Sequence, residues 1–495
     1  MNFSLNRRED IIIFLSVLVL LFGTVVSIYT NVLYMFSLLV PLMLFLIFKH
    51  NKLWLYFLVI YFPMETIIVK SLPNQIAVIL KYSIEPISIL LLLFIVCKKL
   101  VTKNLSFKNL GNVGILILLF LMVSIISSMF NGVSSNIFFL GLRWFLRYIP
   151  ILLIVTLLDW RIAEIRRVLL MIFGIILLEN VIGFLQLFGG ETVSQFLKPK
   201  TLEITDKITQ ELDQGMSQYA VYATFGRYST FALFLSTFFV FIFARFIVTQ
   251  KNTLLLLFTG IMLLLTYARQ AALGVILGIL IIAILQNNKK LRFIVVMGLA
   301  IVTISFLLFL QNTQGFVAND ISQGFTNRFF GALTYENFLF DIRNHGRLYF
   351  IFIVGKLFLQ EVPLLGVGMG MYGTEPAISL NPSVYAYYNI PTQYSMDVFW
   401  ISILGQVGLI GLILWASIYI ICFIKSIKLF KVASNKFVRW FTLGYAANIG
   451  VILIESFFSS NLNDRYQSFY FWLLTGFLLI LYNKEFAYKR TKLSR

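Results

Sequence analysis

The sequence predicts an all-α, polytopic integral membrane protein with about 12–14 transmembrane helices and a large extracytoplasmic loop that contains amphipathic helices. Of its 495 residues, 59% are hydrophobic and only 12% are charged, whereas a soluble domain carries roughly 45–50% apolar and about 25% charged residues. The apolar runs repeatedly reach the roughly 20 residues that a helix needs to cross hydrocarbon. They are continuous, unlike the alternating strands of a transmembrane barrel, so helices are the expected element.

The apolar runs divide the chain into about fourteen candidate spans. Arg7 and Arg8 precede the first run, and no small-residue cleavage site clearly follows it, so we expect an uncleaved first span. The third span and the two spans around Arg269 are also open to a short or re-entrant alternative. The expected spans are 10–28, 31–48, 53–70, 76–97, 111–130, 136–158, 167–187, 228–247, 252–267, 271–286, 292–310, 398–424, 438–457 and 467–482.

The net charge of +19 has two interpretations. Nucleic-acid binding would need a basic soluble domain, and the sequence contains none. The alternative is the positive-inside rule, because lysines and arginines collect in short segments between spans, such as Lys98-Lys99 and Lys289-Lys290. This bias predicts a multi-pass protein of the cytoplasmic membrane with both termini in the cytoplasm, the lipid bilayer as a partner and no nucleic acid.

Two segments on the predicted outer side are long, residues 188–227 and 311–397. Segments longer than about 15 residues are usually functional or disordered, and the aromatic content of the second favours function. The second also contains an amphipathic stretch from Ile342 to Gln360. The chain is thus expected to comprise an N-terminal transmembrane bundle (1–310), an extracytoplasmic loop (311–397) and C-terminal transmembrane helices with a cytoplasmic tail (398–495).

Nucleotide and metal chemistry find no support in the sequence. No cytoplasmic segment is long enough for a nucleotide-binding domain, and no G-x-x-x-x-G-K-[ST] motif occurs, so we do not expect direct use of ATP. Cys97 and Cys422 lie at the inner ends of predicted spans, and two such cysteines form no metal site.

Arginines inside or beside spans are candidates for function, because charge within a bilayer is costly. Arg143 and Arg147 lie i, i+4 on one face of the sixth span. They either snorkel or form a structural ion pair, with Glu179 or Glu455 as the partner, or they line a site for an anionic substrate. Arg227, which ends the first long outer segment, is a further candidate for substrate binding.

Three more arginines lie on the predicted outer side. Arg269 occurs in T-Y-A-R-Q-A-A-L-G, where membrane topology alone does not explain a cation. Arg343 and Arg347 occur in R-N-H-G-R and share a face if this segment is helical. Because the planar guanidinium suits phosphate oxygens, these arginines predict a site for a lipid-linked phosphate or diphosphate. Ordinary solvated charge is the alternative for Arg343 and Arg347.

Asp397 and His345 are the candidate proton acceptors. Asp397 precedes a long apolar run, so it is either a general base or the N-cap of the following helix, and N-capping is the commoner use of such an aspartate. The glycines of E-V-P-L-L-G-V-G-M-G-M-Y-G superficially resemble a dinucleotide fingerprint. No parallel strand or βαβ unit precedes them, so a tight, close-packed turn is expected instead.

These motifs, in this order, resemble the O-antigen polymerase and O-antigen ligase superfamily of bacterial membrane glycosyltransferases. The family has an arginine in a short turn between two spans, here Arg269 in A-R-Q. An outer-loop G-R before an amphipathic helix follows, here Gly346-Arg347, and then a P-L-L-G-V-G-x-G turn, here residues 363–370.

Ligases of this superfamily continue with His-Asn or His-Ser, nine residues and G-x-x-G. The spacing is kept here, with Gly408 and Gly411 at the end, but Asp397 and Val398 replace the two polar residues. This departure favours a polymerase over a ligase.

The resemblance implies a transfer outside the bacterial cytoplasmic membrane that needs no metal and no cofactor. The donor would be a glycan on undecaprenyl diphosphate, and the acceptor a hydroxyl of another lipid-linked repeat unit. A chain-length regulator and a flippase of the same pathway are further expected partners. The candidate catalytic residues are Asp397, Arg347 and Arg269, and the candidates for substrate binding are Arg343, His345, Arg143, Arg147 and Arg227.

A transporter or lipid-linked glycan flippase is the main alternative of a different class. It would favour short loops, a midplane site and an internal repeat, whereas the long outer loop here favours extracytoplasmic chemistry. A structural scaffold explains the outer arginines poorly. An O-antigen ligase-like transferase stays open, as does the product: capsule, exopolysaccharide, O-antigen or teichuronic-type polymer.

Overall fold

The structure is a computed structural model that describes residues 46–198, 220–286 and 334–493. Within these residues it is built from helices and contains no strand, which confirms the predicted all-α class. The spans expected at 10–28 and 292–310, and most of the span at 31–48, lie outside the described residues.

We number the helices α1 to α17 in chain order. A π-helical turn, Phe350–Val354, joins α11 to α12. The helices are α1 (Lys52–Ser71), α2 (Asn74–Val101), α3 (Gly111–Phe130), α4 (Ser135–Leu146), α5 (Ile149–Leu157), α6 (Ile162–Leu197), α7 (Tyr228–Thr249), α8 (Thr253–Leu265), α9 (Arg269–Gln286), α10 (Tyr335–Arg343), α11 (Arg347–Tyr349), α12 (Gly355–Glu361), α13 (Glu375–Ser379), α14 (Ser383–Tyr387), α15 (Phe399–Val432), α16 (Lys436–Glu455) and α17 (Arg465–Leu493).

Seven of the described helices are long and apolar enough to cross a membrane: α1, α3, α6, α7, α9, α15 and α16. They confirm a polytopic membrane protein. Among the expected spans that they match is the third, 53–70, which is the full-length helix α1. The expected span 252–267 is a shorter apolar helix, α8, of 13 residues.

The sixth expected span, 136–158, is not one straight helix. It consists of α4 and α5, which are bent by 52° relative to each other. Pro150 is the second residue of α5, and because proline has no N–H it cannot donate to the carbonyl of Leu146, so the helix breaks here. Arg147 and Tyr148 form the break.

Two ends of the bundle can be distinguished by their polar contacts. At one end Lys52 Nζ lies 2.9 Å from Glu164 Oε2 and Lys425 lies over the ring of Tyr482. At the other, which we call the site end, α7, α9, α15 and α17 begin. There Thr66 Oγ1 of α1 donates to Phe225 O (3.1 Å), and this hydrogen bond connects α1 to the segment before α7.

Close helix packing connects the matched spans. Helix α16 packs against both α7 and α9. A Cβ on Gly444 would lie 2.7 Å from the ring of Phe241, and one on Gly278 would lie 2.6 Å from Val240. Small residues of this kind let membrane helices approach closely.

Helix α15 breaks at Gly408, whose φ is 68° and ψ −168°. The glycine-rich turn, residues 363–370, lies directly against this break. Main-chain bonds join the two segments: Val367 N to Gly405 O (2.8 Å), Gly368 N to Gln406 O (3.0 Å), Leu409 N to Pro363 O (2.8 Å) and Ile410 N to Leu364 O (3.4 Å). They provide partners for groups that an unbroken helix would have satisfied itself.

The end of α3 fixes the same turn from the other side. Asn131 Nδ2 donates to Gly366 O (3.1 Å), and Ser128 Oγ accepts from Met369 N (3.0 Å). Gln406 Oε1 also accepts from Gly370 N (2.7 Å). The glycines therefore form the close-packed turn that the sequence predicts.

The orientation of the bundle can be tested with single cysteines in a variant in which Cys97 is replaced by serine. We expect an impermeant thiol reagent to label a cysteine at Ser379 in intact cells, but not one at Gln250, which follows α7 at the end opposite the site. Labelling after membrane disruption is the control for accessibility. Labelling of position 250 alone in intact cells would reverse the predicted topology.

The break at Gly408 predicts a strong effect of a single methyl group. We expect Gly408→Ala to lower the free energy of unfolding by at least about 1–3 kcal/mol, because its φ and ψ lie in a region that only glycine adopts readily. A Cβ there would also lie 2.2 Å from Leu364 O. Gly174→Ala in α6, where a Cβ meets nothing within 4 Å, is the matched control. Equal thermal stability of the two purified variants in detergent would contradict this account.

Candidate active site

Arg347 and Asp397 form an ion pair at the site end, 50 residues apart in the chain. Arg347 Nε and Nη2 both donate to Asp397 Oδ2, at 3.1 and 2.7 Å. The guanidinium also lies 5.4 Å from the centre of the Tyr394 ring. About a third of each side chain is exposed (35% and 34%). Within the residues that the structure describes, Arg347 Nη1 and Asp397 Oδ1 take part in no hydrogen bond, so both remain available to a substrate.

The turn before α11 presents Arg347. His345 adopts a φ of 56°, and Gly346 N donates to Asp341 O (2.7 Å). The carboxylate of Asp341 then accepts from Leu348 N (2.7 Å), so it caps the helix that begins at Arg347. A Cβ on Gly346 would lie 2.1 Å from Asp341 Oδ1. The glycine of the G-R motif, Gly346, is therefore required because any larger residue would clash with Asp341.

Parallel packing brings Arg347 to Asp397. The helical segment 347–361 runs alongside the first half of α15, with Gly355 against Ile401 and Gly405 against Phe358. Because the two segments run in the same direction, their starting residues meet. Asp397 is two residues before Phe399, the first residue of α15.

The N-cap alternative for Asp397 is wrong. The N-cap of α15 is Val398, and no side chain caps this helix. The carboxylate points to Arg347 instead. Arg343 and Arg347 would share a face only on one continuous helix, and this condition is not met, because α10 ends at Arg343 and the chain turns before α11 begins. The amphipathic stretch expected from Ile342 is accordingly interrupted at this turn.

The environment of Arg347 secures its charge. Burial lowers the pKa of the Arg347 guanidinium, but the attraction and hydrogen bonds of Asp397 outweigh burial, so its pKa lies above the usual value. Arg347 is therefore a permanent cation. Arg343 and His345 are exposed nearby, and the His345 ring makes an edge contact with Tyr349, 4.7 Å between ring centres.

A second group of charges lies where α4 and α5 meet the start of α17. Arg143 Nε donates to Glu85 Oε2 (2.5 Å), and Arg465 pairs with Glu65. Arg465 Nε also donates to the Tyr148 hydroxyl (3.3 Å). Arg143 is thus held in a structural ion pair, one of the alternatives that the sequence left open.

The partners expected for that ion pair, Glu179 and Glu455, are wrong. Glu179 Oε1 accepts from Thr224 Oγ1 (2.6 Å), and Glu455 Oε1 accepts from Ser236 Oγ (2.5 Å). Glu179 lies in α6 and Glu455 in α16, whereas Glu85, the partner of Arg143, lies in α2. Helix order along the chain does not reveal which span lies beside α4.

Arg147 has a different environment from Arg143. Its guanidinium lies 5.4 Å from the Trp144 ring centre and 5.7 Å from that of Tyr148. Its Nε is buried and has no hydrogen-bond partner. Asp464, just before α17, accepts from Tyr466 N at Oδ1 (2.9 Å). Burial raises the pKa of the Asp464 carboxyl, and the Tyr466 N–H and the nearby Arg147 and Arg227 oppose this shift.

The start of α7 lies between the two groups of charges. Arg227 interacts electrostatically with Asp464, and its neighbour Tyr228 interacts with Arg347. Arg269 begins α9 at the same end, after a turn in which Tyr267 has a φ of 55°. Val221 N donates to Leu265 O (3.1 Å), so this turn lies beside the segment that leads to Arg227.

Four further charged residues, Asp464, Arg465, Glu65 and Glu85, were not predicted from the sequence. A usable signal was present, because Glu65 and Glu85 fall inside the expected spans 53–70 and 76–97. An ionisable residue within a span is a functional candidate by default, and these two carboxylates mark where cations of other helices must lie.

Residues 254–416 match the protein family described as O-antigen ligase. A search of curated proteins gives no match. The matched segment extends from α8 into α15, so it contains Arg269, the turn before Arg347, the glycine-rich turn and Asp397. The match confirms that the chain resembles the O-antigen polymerase and ligase superfamily of membrane glycan transferases.

Proposed function

We propose that the protein is a polysaccharide polymerase that acts on the outer side of the cytoplasmic membrane. It transfers a glycan from undecaprenyl diphosphate to a hydroxyl of another lipid-linked repeat unit. The Arg347–Asp397 pair is the observation that carries this proposal. One partly exposed centre offers an uncommitted carboxylate oxygen as a proton acceptor and an uncommitted guanidinium N–H as an anion ligand.

The transfer forms one bond and breaks one. The acceptor oxygen attacks the anomeric carbon, and the bond from this carbon to the diphosphate oxygen breaks with its electron pair left on the diphosphate. The hydroxyl proton goes to Asp397 Oδ1, as to a general base. Arg347, through Nη1, and Arg269 stabilise the charge that develops on the leaving group. Arg343 and His345, exposed beside them, contact the glycan or the diphosphate.

The Arg347–Asp397 ion pair supports both the general base and the anion ligand. Because Arg347 binds only Oδ2, it orients the carboxylate and leaves Oδ1 toward the acceptor. Because the binding uses Nε and Nη2, the remaining nitrogen can reach a phosphate oxygen. The resting pair also prevents an uncompensated charge at this position, which would be costly where solvent access is limited.

A ligase-like transferase is the second candidate, since the matched family is described as O-antigen ligase. The chemistry at the donor would be the same, and the acceptor would differ. Asp397 at the position where ligases carry histidine favours the polymerase. A flippase and a chain-length regulator of the same pathway are the proposed protein partners.

The acceptor can be identified with purified protein and one defined lipid-linked repeat unit. A polymerase produces a ladder of longer lipid-linked glycans from this substrate alone. Transfer only after a second, different acceptor is added would indicate a ligase. Absence of both products, together with movement of the intact lipid-linked glycan between leaflets of a vesicle, would contradict a transferase.

Replacing Asp397 with Asn tests the proposed base. The amide keeps the size of the side chain and an oxygen that can accept from Arg347, but it cannot accept the proton. We expect turnover to fall by about 10²–10⁴-fold, the usual contribution of a positioned general base, under conditions in which a thermal melt shows that the variant is still folded. Asp159→Asn, at an exposed aspartate of the opposite end, is the control. Parental turnover in Asp397→Asn would make the carboxylate structural.

Replacing Arg347 tests the other half of the pair. We expect Arg347→Ala to abolish transfer, and Arg347→Lys to restore only part of it, because lysine is a point charge and cannot bind Asp397 and a phosphate through one planar group. Turnover is measured with the same defined repeat unit. Full activity in Arg347→Ala would reject the assignment.

A further inference from the structure

We propose that Arg147 is the centre of a second anion-binding subsite, which holds a phosphate or carboxylate group of the lipid-linked substrate. This inference rests on the proposed function and deepens it, because it adds a contact for the substrate away from the Arg347–Asp397 pair. The chemical class is an anion with two oxygens in one plane, which a guanidinium binds through paired hydrogen bonds.

The first argument is the lack of a counter-ion. Arg143, Arg347 and Arg465 each donate to a carboxylate. Within the part of the chain that the structure describes, the side chain of Arg147 donates no hydrogen bond and no carboxylate oxygen lies within 4 Å of its nitrogens, and its Nε is buried without a partner. A buried donor without a partner is costly, and a ligand that accepts from the Nε would remove this cost.

The second argument is the position of Arg147 in the break between α4 and α5. The main chain bends by 52° there. Irregular backbone at membrane depth is tolerated where it lines a cavity or is buried in protein. The Trp144 and Tyr148 rings, 5.4 and 5.7 Å away, hold the guanidinium. A held guanidinium loses less freedom when a ligand binds.

The third argument is the surrounding charge. Glu85, Asp464 and Arg465 all interact electrostatically with Arg147. Glu85 is engaged by Arg143, and Asp464 forms no ion pair with Arg147 in the described part of the chain. The two nearby carboxylates therefore leave the Arg147 guanidinium without a direct counter-ion.

Arg143 provides a matched comparison, since it lies one helical turn before Arg147. Its ion pair with Glu85 predicts that Arg143→Gln lowers thermal stability. Arg147→Gln removes a cation without a carboxylate partner, so we expect its thermal midpoint to equal or exceed that of the parent. This opposite effect on stability is what a binding residue predicts and a structural residue does not.

The test is a thermal melt of the full-length protein in detergent with increasing inorganic diphosphate and, separately, glucuronate. We expect one of these anions to raise the midpoint of the parent and of Arg143→Gln more than that of Arg147→Gln, in which only the site at Arg347 remains to bind it. A shift that Arg147→Gln reduces identifies a phosphate subsite if the anion is diphosphate, and a subsite for an acidic sugar if the anion is glucuronate. In the transfer assay, Arg147→Gln should lower kcat/KM by about 10–10²-fold, the usual loss of a hydrogen bond to a charged group.

Equal anion-dependent shifts in the parent and in Arg147→Gln would overturn the proposal, as would the absence of a shift in the parent. A midpoint of Arg147→Gln below that of Arg143→Gln would also overturn it, because Arg147 would then be structural. The thermal melt measures anion binding without turnover. Its result can therefore reject the Arg147 subsite while the polymerase assignment holds, and the absence of a glycan ladder would not reject the subsite.

Discussion

A helix that breaks inside a membrane protein must find new partners for the main-chain groups that the break frees, and the candidate site depends on how α15 meets this requirement. The glycine-rich turn supplies the partners at Gly408 through main-chain bonds of 2.8–3.4 Å. These bonds fix the turn to α15. Since the segment 347–361 leads directly into the turn, they also fix its register against the first half of α15. The meeting of Arg347 with Asp397 is a consequence of that register.

This dependence explains why the sequence could predict the parts of the site but not their arrangement. Composition and run length were sufficient for the all-α membrane fold, because hydrocarbon thickness leaves few alternatives. The family motifs were sufficient to select Arg347 and Asp397. That one residue binds the other could not be read from a separation of 50 residues, because it follows from a helix break and a main-chain pairing that have no signature in side-chain pattern.

The errors have identifiable physical reasons. Asp397 suggested an N-cap because an aspartate commonly caps the helix that follows it, but a nearby guanidinium is a stronger partner than one main-chain N–H. Arg343 and Arg347 suggested one helical face because their spacing fits 3.6 residues per turn, but Asn344 and His345 form a turn with a positive φ. Glu179 and Glu455 suggested partners for Arg143 and Arg147 because they lie in spans, but Glu179 accepts from Thr224 and Glu455 accepts from Ser236, and Glu85 pairs with Arg143. For the three carboxylates tertiary neighbours decided between locally reasonable alternatives, and for the two arginines a local turn did.

The arginines at the site end differ in their counter-ions, and this difference distinguishes the ion pairs that stabilise the fold from the cations that can bind a substrate. Folding alone favours a partner for every buried charge, and Arg465 and Arg143 provide this for the buried carboxylates of Glu65 and Glu85 across helices that are distant in sequence. The Arg347–Asp397 pair meets the same requirement with one oxygen and one nitrogen left over, so it is satisfied at rest and still able to bind. Arg147 is held by two aromatic rings and by no carboxylate among the described residues. The three environments differ in what the guanidinium binds: both oxygens of Glu85 for Arg143, one oxygen of Asp397 for Arg347, and no carboxylate oxygen of the described residues for Arg147.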